Sequence, residues 1–431
     1  MPVKRLCCSK HLFYKTMPRT WFVVITGVIC LYSCLVNADT PTHDIRTYSI
    51  YLDADQTNNT WSGNSIELGI RAAFSEVNWK LGKRDVTLVV KDHHGNTARS
   101  QYHLDQLLED DRALALFGGM HSPPLLAARD TLNKNGVLTF VPWAAATPIT
   151  RGNKDNNWIF RLSLDDSKAG AVIINDLINS SALKKPFLLL EETGWGKANK
   201  KTMEQRLVEL NIEPVGTKFF QWGLGQNEAQ HILNVAMRQG ADSFVLVANA
   251  PEGITFAKAM LSLPPEDRKP IRSHWGITGG NFPERVGVEK LAQLDLRFIQ
   301  SAFSFLDEPM NETARGALNS ARKVRNLKKL EGRDIKAPAG FIHAYDITRI
   351  LITAANVATL SGDIKADRLA IRQALEDLNV SINGLVKNYQ RPFSNPALKG
   401  NFDAHEALNQ EDFSMAKFDT MGNIRLVRHK N

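Results

Sequence analysis

Residues 66–100 read IELGIRAAFSEVNWKLGKRDVTLVVKDHHGNTARS. Ile66, Ile70, Phe74 and Val77 recur at spacings of four and three, the period of a helix with one buried face, and predict a helix over Ser65–Asn78. Val86–Lys91 (VTLVVK) is rich in β-branched residues and reads as a strand. A turn with Gly95 and Asn96 then leads into a second helical stretch over 97–110. Outward from here the same unit repeats. Strands are expected at Arg46–Leu52, Ala113–Phe117 and Val137–Val141, with a helix over 123–134. A second set has strands at Phe187–Leu190, Val215–Phe220 and Phe244–Ala248, and helices over 197–210, 227–239 and 252–261. Strands alternating with helices of this length form βαβ units and parallel sheets. Continuous apolar strands suit sheets covered on both faces.

Two such sets predict an α/β protein of two Rossmann-like lobes, parallel sheets flanked by helices and joined by a multi-strand hinge. The chain changes lobe near Arg161–Ser167, and Arg297–Phe303 is expected to be a strand after a second change. Residues 311–329 and 339–360 read as helices, and the last 45 lose the helical period. The expected division is residues 1–38 as a leader, 39–163 with 297–384 as lobe one, and 164–296 with 385–431 as lobe two. Ligands of such sheets lie beyond the carboxyl ends of the strands.

The leader has three parts. Lys4, Arg5, Lys10, Lys15 and Arg19 are accompanied by no acid, and WFVVITGVICLYSCLV follows from Trp21 to Val36. Val36-Asn37-Ala38 then offers small residues for cleavage. Export to the periplasm with cleavage after Ala38 is expected. An uncleaved anchor, or lipidation at Cys34, is the alternative. Of 431 residues, 53 are Lys or Arg and 45 are Asp or Glu, a net charge of +8. Without the leader's five bases the excess falls to +3, which removes the main argument for nucleic acid. All four cysteines, Cys7, Cys8, Cys30 and Cys34, lie in the leader. Disulfides are therefore not expected to hold the rest together, and burial of a large core must do so.

Seven blocks in register resemble type I periplasmic binding proteins of the leucine/isoleucine/valine-binding branch. They are the opening stretch, LFGGMHSPPLLAA, VPWAAATPIT, IFRLSLDDSKAG, ETGWGKANK, GADSFVLVANAPEG and GFIHAYDITRILITAANV. The resemblance runs over almost all of residues 45–430. It implies a solute-binding protein that closes on an amino-acid-like, amide or carboxylate metabolite and delivers it to the membrane permease of an ABC importer. A ligand-sensing module that signals to a sensor kinase or chemoreceptor is the alternative.

The resemblance also implies a site. Ser122, after Gly118-Gly119, matches a serine that holds a ligand carboxylate, and it also qualifies as the cap of a helix opening at Pro123. Independently of the resemblance, glycines after a strand let backbone approach a ligand, and a helix start turns N–H groups toward an anion. Ala145, Ala146 and Thr147 match the loop that supplies backbone groups and a hydroxyl. Trp61 and Trp195 match aromatics of opposite lobes, which could sandwich a ligand. Asn249 lies in the matching block of lobe two.

Thr278, in HWGITGGNF, stands where the family's amino-acid binders carry the glutamate that holds an α-ammonium group. Asp165, Asp166 or Glu252 could replace it. Metal is not expected from His93, His94 and His103, whose loop matches a solvated turn, and no cofactor is expected. No nucleophile elbow, His-Glu-x-x-His or phosphate-binding loop is present, so no enzyme activity is expected. The basic run Arg322–Lys329 reads as a solvated helix face or as a docking patch for an acidic membrane partner.

Overall fold

The computed structural model describes residues 47–151, 156–181, 183–398 and 402–427, with no account of the side chains of residues 180 and 181. The leader and its cleavage position lie outside the described residues. Two open sheets organise the chain. The first has the order β2-β3-β1-β4-β5-β6. Its strands are β1 (Thr47–Ala54), β2 (Lys80–Leu81), β3 (Arg84–Asp92), β4 (Ala113–Gly118), β5 (Leu138–Val141) and β6 (Ile159–Arg161). All its pairings are parallel except β2 with β3. The second sheet has seven strands. Its parallel part comprises β7 (Pro186–Glu191), β8 (Gly216–Phe220), β9 (Ser243–Val247), β10 (Ile271–Ser273) and β11 (Leu296–Ser301). A small hairpin, β12 (Ile382–Asn383) with β13 (Asn388–Tyr389), stands apart. Antiparallel β14 (Phe413–Phe418) and β15 (Ile424–Leu426) complete the second sheet against β11.

The crossovers supply the helices. They are α1 (Thr60–Glu76), α2 (Thr97–Glu109), α3 (Ser122–Lys134), α4 (Asp166–Ser181), α5 (Gly194–Glu209), α6 (Gln226–Arg238) and α7 (Ala250–Leu261). Short α8 (Phe282–Val286) and α9 (Val288–Leu291) follow. α10 (Glu312–Val324), α11 (Pro338–Val357) and α12 (Ile364–Glu376) then cross back to the first sheet. α1 buries Ile66, Ile70 and Phe74, three of the four residues whose spacing predicted it. β4 and β5 are buried along their whole length, as continuous apolar strands between helical layers must be.

Four details differ from the sequence reading. β11 pairs with β10, so the chain leaves the second sheet after Ser301 and not before Arg297. Residues 385–398 and 402–408 stay with the first sheet: Leu385 and Val386 donate to Asp346 of α11, and Glu406 bridges to Arg161 of β6. α10 ends at Val324, with Asn326 in the left-handed region at φ 51°, so the basic run to Lys329 is mostly not helical. α12 was missed. Its signal was Asp363, whose side chain caps the helix by accepting from Ala366 N–H, with Ile371 and Leu375 one turn apart on the buried face.

The crossing points are held by buried polar groups. Ser301, the last residue of β11, donates to His343 Nε2 at 2.8 Å, and His343 Nδ1 donates to the Pro142 carbonyl at 3.0 Å. Burial drives the His343 imidazole down to about 3, so it stays neutral and one ring nitrogen remains an acceptor.

Candidate functional site

The expected site residues follow the carboxyl ends of strands. Ser122 comes after β4, Ala145–Thr147 after β5, Trp195 after β7, Asn249 after β9 and Thr278 after β10. Trp61 opens α1 after β1. The loops of the two sheets touch. The His121 and Trp222 rings lie 5.5 Å apart, and Trp143 and Trp275 lie 5.8 Å apart. A β-carbon built on Gly194 would come 2.8 Å from Leu126 Cδ1.

On the first sheet's side the polar groups converge. α3 starts at Ser122 itself, capped by His121 without a side-chain bond, and not at Pro123 with Ser122 as cap. Pro123 and Pro124 carry no N–H, so the first turn offers an anion fewer donors than an ordinary helix start. Buried Ser122 Oγ accepts from Ala146 N–H at 3.2 Å, which leaves its own proton to donate. The Ala145 carbonyl accepts from Asp166 N–H at 2.9 Å, and the Ala146 carbonyl accepts from Arg161 Nη1 at 3.0 Å. Thr147 points away from this group, its hydroxyl donating to Asp165 Oδ1 at 2.7 Å. Burial opposes charge on Asp165, but Arg161 and Arg151 outweigh it and hold the carboxyl well below the usual carboxylate range.

On the second sheet's side Trp195 is buried, and its indole N–H donates to Asp166 Oδ1 at 3.3 Å. His274 Nε2 donates to the same oxygen at 3.0 Å, and its ring meets Trp195 edge-on at 4.9 Å. Asp166 and His274 are both fully buried. Asp166 Oδ2 and His274 Nδ1 have no protein partner. Buried polar atoms almost always find one, so these two atoms mark places where a water or another polar group would complete the bonding. Of the three carboxylates that could replace the missing glutamate, Asp165 is saturated and Glu252 accepts from Gly223 N–H at 2.9 Å. Asp166 alone of the three keeps a buried oxygen free.

The other expectations fare differently. Thr278 is buried and donates to the Trp275 carbonyl at 2.8 Å while accepting from Gln300 Nε2 at 3.4 Å. It lines one recess with Trp61, Phe305, Lys336 and Phe418. Lys336 Nζ stands 5.4 Å from the centre of the Trp61 ring. Trp195 does not line that recess, so the two tryptophans do not share it as a sandwich. Asn249 donates to Glu191 Oε2 at 2.9 Å, a role inside the second lobe. The sequence reading did not single out His274, which meets Asp166 and Trp195 here, although it lies in HWGITGGNF. Among the described residues no group of three or more His, Cys, Asp or Glu is placed to hold a metal ion.

Glu191 gives a direct pH prediction. Burial pushes its carboxyl up to about 7 from 4.5 in spite of hydrogen bonds from Trp222 and Thr193. The folded pKa is raised, so the native state binds the extra proton between pH 4.5 and 7. This stabilisation is complete below that window and is lost as pH rises through it. The group's share is on the order of 3 kcal/mol. Urea unfolding across pH 4.5–8 should show a flatter profile for Glu191→Gln than for the wild type. Parallel profiles would disprove the assignment.

Two open sheets whose strand-end loops face one another, joined by several crossings, make a two-lobed α/β architecture. The sequence matches the periplasmic binding protein family over residues 52–393, and the chain belongs to that family. Among curated proteins none matches by sequence. Solved structures share the two-lobed type I fold. A type 1 periplasmic binding protein from Bordetella pertussis has a TM-score of 0.72 at 17% identity, over 88% of this chain and 99% of the other. The branched-chain amino acid transporter substrate binding protein LivJ from Streptococcus pneumoniae, in complex with isoleucine, gives 0.68 at 21%, over 88% and 97%. An ABC transporter solute binding protein from R. palustris, in complex with 4-hydroxybenzoate, gives 0.70 at 14%, over 88% and 96%.

Proposed function

We propose that this is an exported solute-binding protein that captures a small amino-acid-like, amide or carboxylate metabolite between its lobes and delivers it to an ABC importer. Lobe one in this reading is the first sheet with residues 302–398 and 402–408, and lobe two is the second sheet. The observation that carries the reading is the pairing of unlike chemistry across the cleft. Ser122, whose hydroxyl proton is left free by the bond from Ala146 N–H, can donate to a carboxylate or carbonyl oxygen. Asp166 keeps a buried oxygen without a protein partner, an acceptor for an N–H. An amino acid or an amide carries both functions on one small frame. Closure would then bury the ligand, shift the open–closed equilibrium and present a closed surface to the permease.

The experiment is thermal unfolding of the full chain against amino acids, primary amides, and aliphatic and aromatic carboxylates. A ligand selective for the native state raises the midpoint, by about 2.7 kcal/mol of stability at a hundredfold excess over Kd. Ser122→Ala should weaken the responding ligand on the order of tenfold or more, the loss of one hydrogen bond to a charged group, with the fold unchanged. Absence of any response across the panel, or an unchanged affinity in Ser122→Ala, overturns the reading.

A further inference from the structure

A second cavity lies apart from the Ser122 and Asp166 groups. It measures about 350 Å³, inside the range of roughly 300–1,000 Å³ that small-molecule sites occupy. None of Ser122, Asp166, Trp195 and His274 lines it. Its walls come from the loop after β8, from α7 and α8, and from Asn58 of lobe one.

The charges on these walls are set apart from one another. Glu252, in the first turn of α7, is 4% exposed. Burial pushes its carboxyl up, against hydrogen bonds from the Gly223 N–H and from its own N–H. A carboxylate has about four acceptor positions, so capacity for an ammonium group remains. Lys258, in the last turn of α7, and Arg285, in α8, line the same cavity. Among the described residues neither of these two side chains takes part in a hydrogen bond or an ion pair with the protein. Glu252 and Lys258 are six residues apart on one helix, a rise of about 9 Å along its axis. An α-amino acid carries both its charges on one carbon and cannot span that interval. A ligand with its charges farther apart can.

We propose that this cavity is a second binding site, for a small zwitterion whose ammonium and carboxylate groups lie several ångströms apart, as in an ω-amino acid or a dipeptide. The ammonium meets Glu252, and the carboxylate meets Lys258 and Arg285. Asn58 gives lobe one a share in the same cavity, so a ligand seated there touches both lobes and favours their closed arrangement. The inference is independent of the site at Ser122.

The test is calorimetric titration of the full chain with straight-chain ω-amino acids of two to eight carbons and with glycylglycine. Affinity should rise with charge separation and be greatest at about five to seven carbons. Acetylating the amine or esterifying the carboxylate of the best member should weaken it on the order of tenfold or more. Tighter binding of glycylglycine than of the five-carbon ω-amino acid identifies a peptide ligand, the reverse an ω-amino acid, and either supports the site. Glu252→Gln should weaken the best member on the order of tenfold. Lys258→Ala with Arg285→Ala should do the same, and this pair is safe for the fold because Lys258 is half-buried and Arg285 exposed. No binding by any member, tightest binding by glycine, or an unchanged affinity in the Lys258 and Arg285 double variant overturns the inference. The Ser122 reading is tested by its own panel and its own variant, so the two can fail separately.

Discussion

Replacing Arg161 by Met should destabilise the protein by about 3–5 kcal/mol, because it strands a buried carboxylate. Arg161 is 0% exposed at the end of β6. Its Nε and Nη2 donate to the two oxygens of Glu406 at 2.8 and 2.7 Å, a two-pronged pair that only a planar guanidinium makes. Nη2 also donates to Thr150 Oγ1 at 3.2 Å, and Nη1 holds the Ala146 carbonyl. The backbone joins the same group: Arg161 N–H donates to the His405 carbonyl, and Ala407 N–H donates to the Arg161 carbonyl. One side chain therefore fixes three things, the edge of the first sheet, the returning segment at 403–407 and the loop that carries Ala145–Thr147.

Arg161→Lys should recover little, since a single ammonium cannot span both oxygens. The double change Arg161→Met with Glu406→Leu should regain much of the loss, because no charge is then left unpaired. The measurement is the midpoint of urea unfolding for the four proteins. A double variant no better than Arg161→Met alone would show that the loss is one of packing and not of charge.

Gly196→Ala should cost about 2–4 kcal/mol, an overpacking penalty with no soft neighbour to absorb it. Gly196 lies in the first turn of α5, where its N–H donates to Thr193 Oγ1. A β-carbon built there would fall 1.8 Å from the Glu191 carbonyl oxygen and 2.9 Å from its carbon. Both are backbone atoms at the end of β7, so the strand end or the helix start must move. Trp195 lies between them in sequence, and its indole holds Asp166. The same substitution should therefore disturb the environment of Trp195 and weaken any ligand that meets Asp166 and His274. Urea unfolding measures the first effect and calorimetric affinity the second. Loss of stability with unchanged affinity would separate Trp195 from the site.

The pH behaviour has two arms of opposite sign. Glu191 and Asp346 are buried and raised, to about 7 and about 6, and their stabilisation fades as pH rises. Asp55 and Asp165 are also desolvated. His121 with Asn59 in one case, and Arg161 with Arg151 in the other, outweigh that and hold them well below the usual range. Their contribution is complete above the ordinary carboxylate range and is lost as pH falls through it.

The patterns of Ile66–Phe74, Val86–Lys91 and Ala113–Phe117, repeated at Phe187–Leu190, Val215–Phe220 and Phe244–Ala248, were enough to determine βαβ units and two lobes. A 3.6- or 2-residue repeat of apolar side chains is a local property that the chain carries with it into any fold. The strand-end loops were legible for the same reason, because glycines after an apolar run mark where a strand must stop. Three matters were left to tertiary structure. Which sheet takes β11 depends on pairing with β10, and hydrogen-bonding partners far apart in sequence leave no local pattern. Which of Asp165, Asp166 and Glu252 keeps a free oxygen depends on Arg151, Arg161, Ser167 and Gly223, whose approach only the folded chain fixes. And Asn58 reads in the sequence as one polar residue in a loop. Its place in one cavity with Lys258, 200 residues further along the chain, arises only when the two lobes are brought face to face.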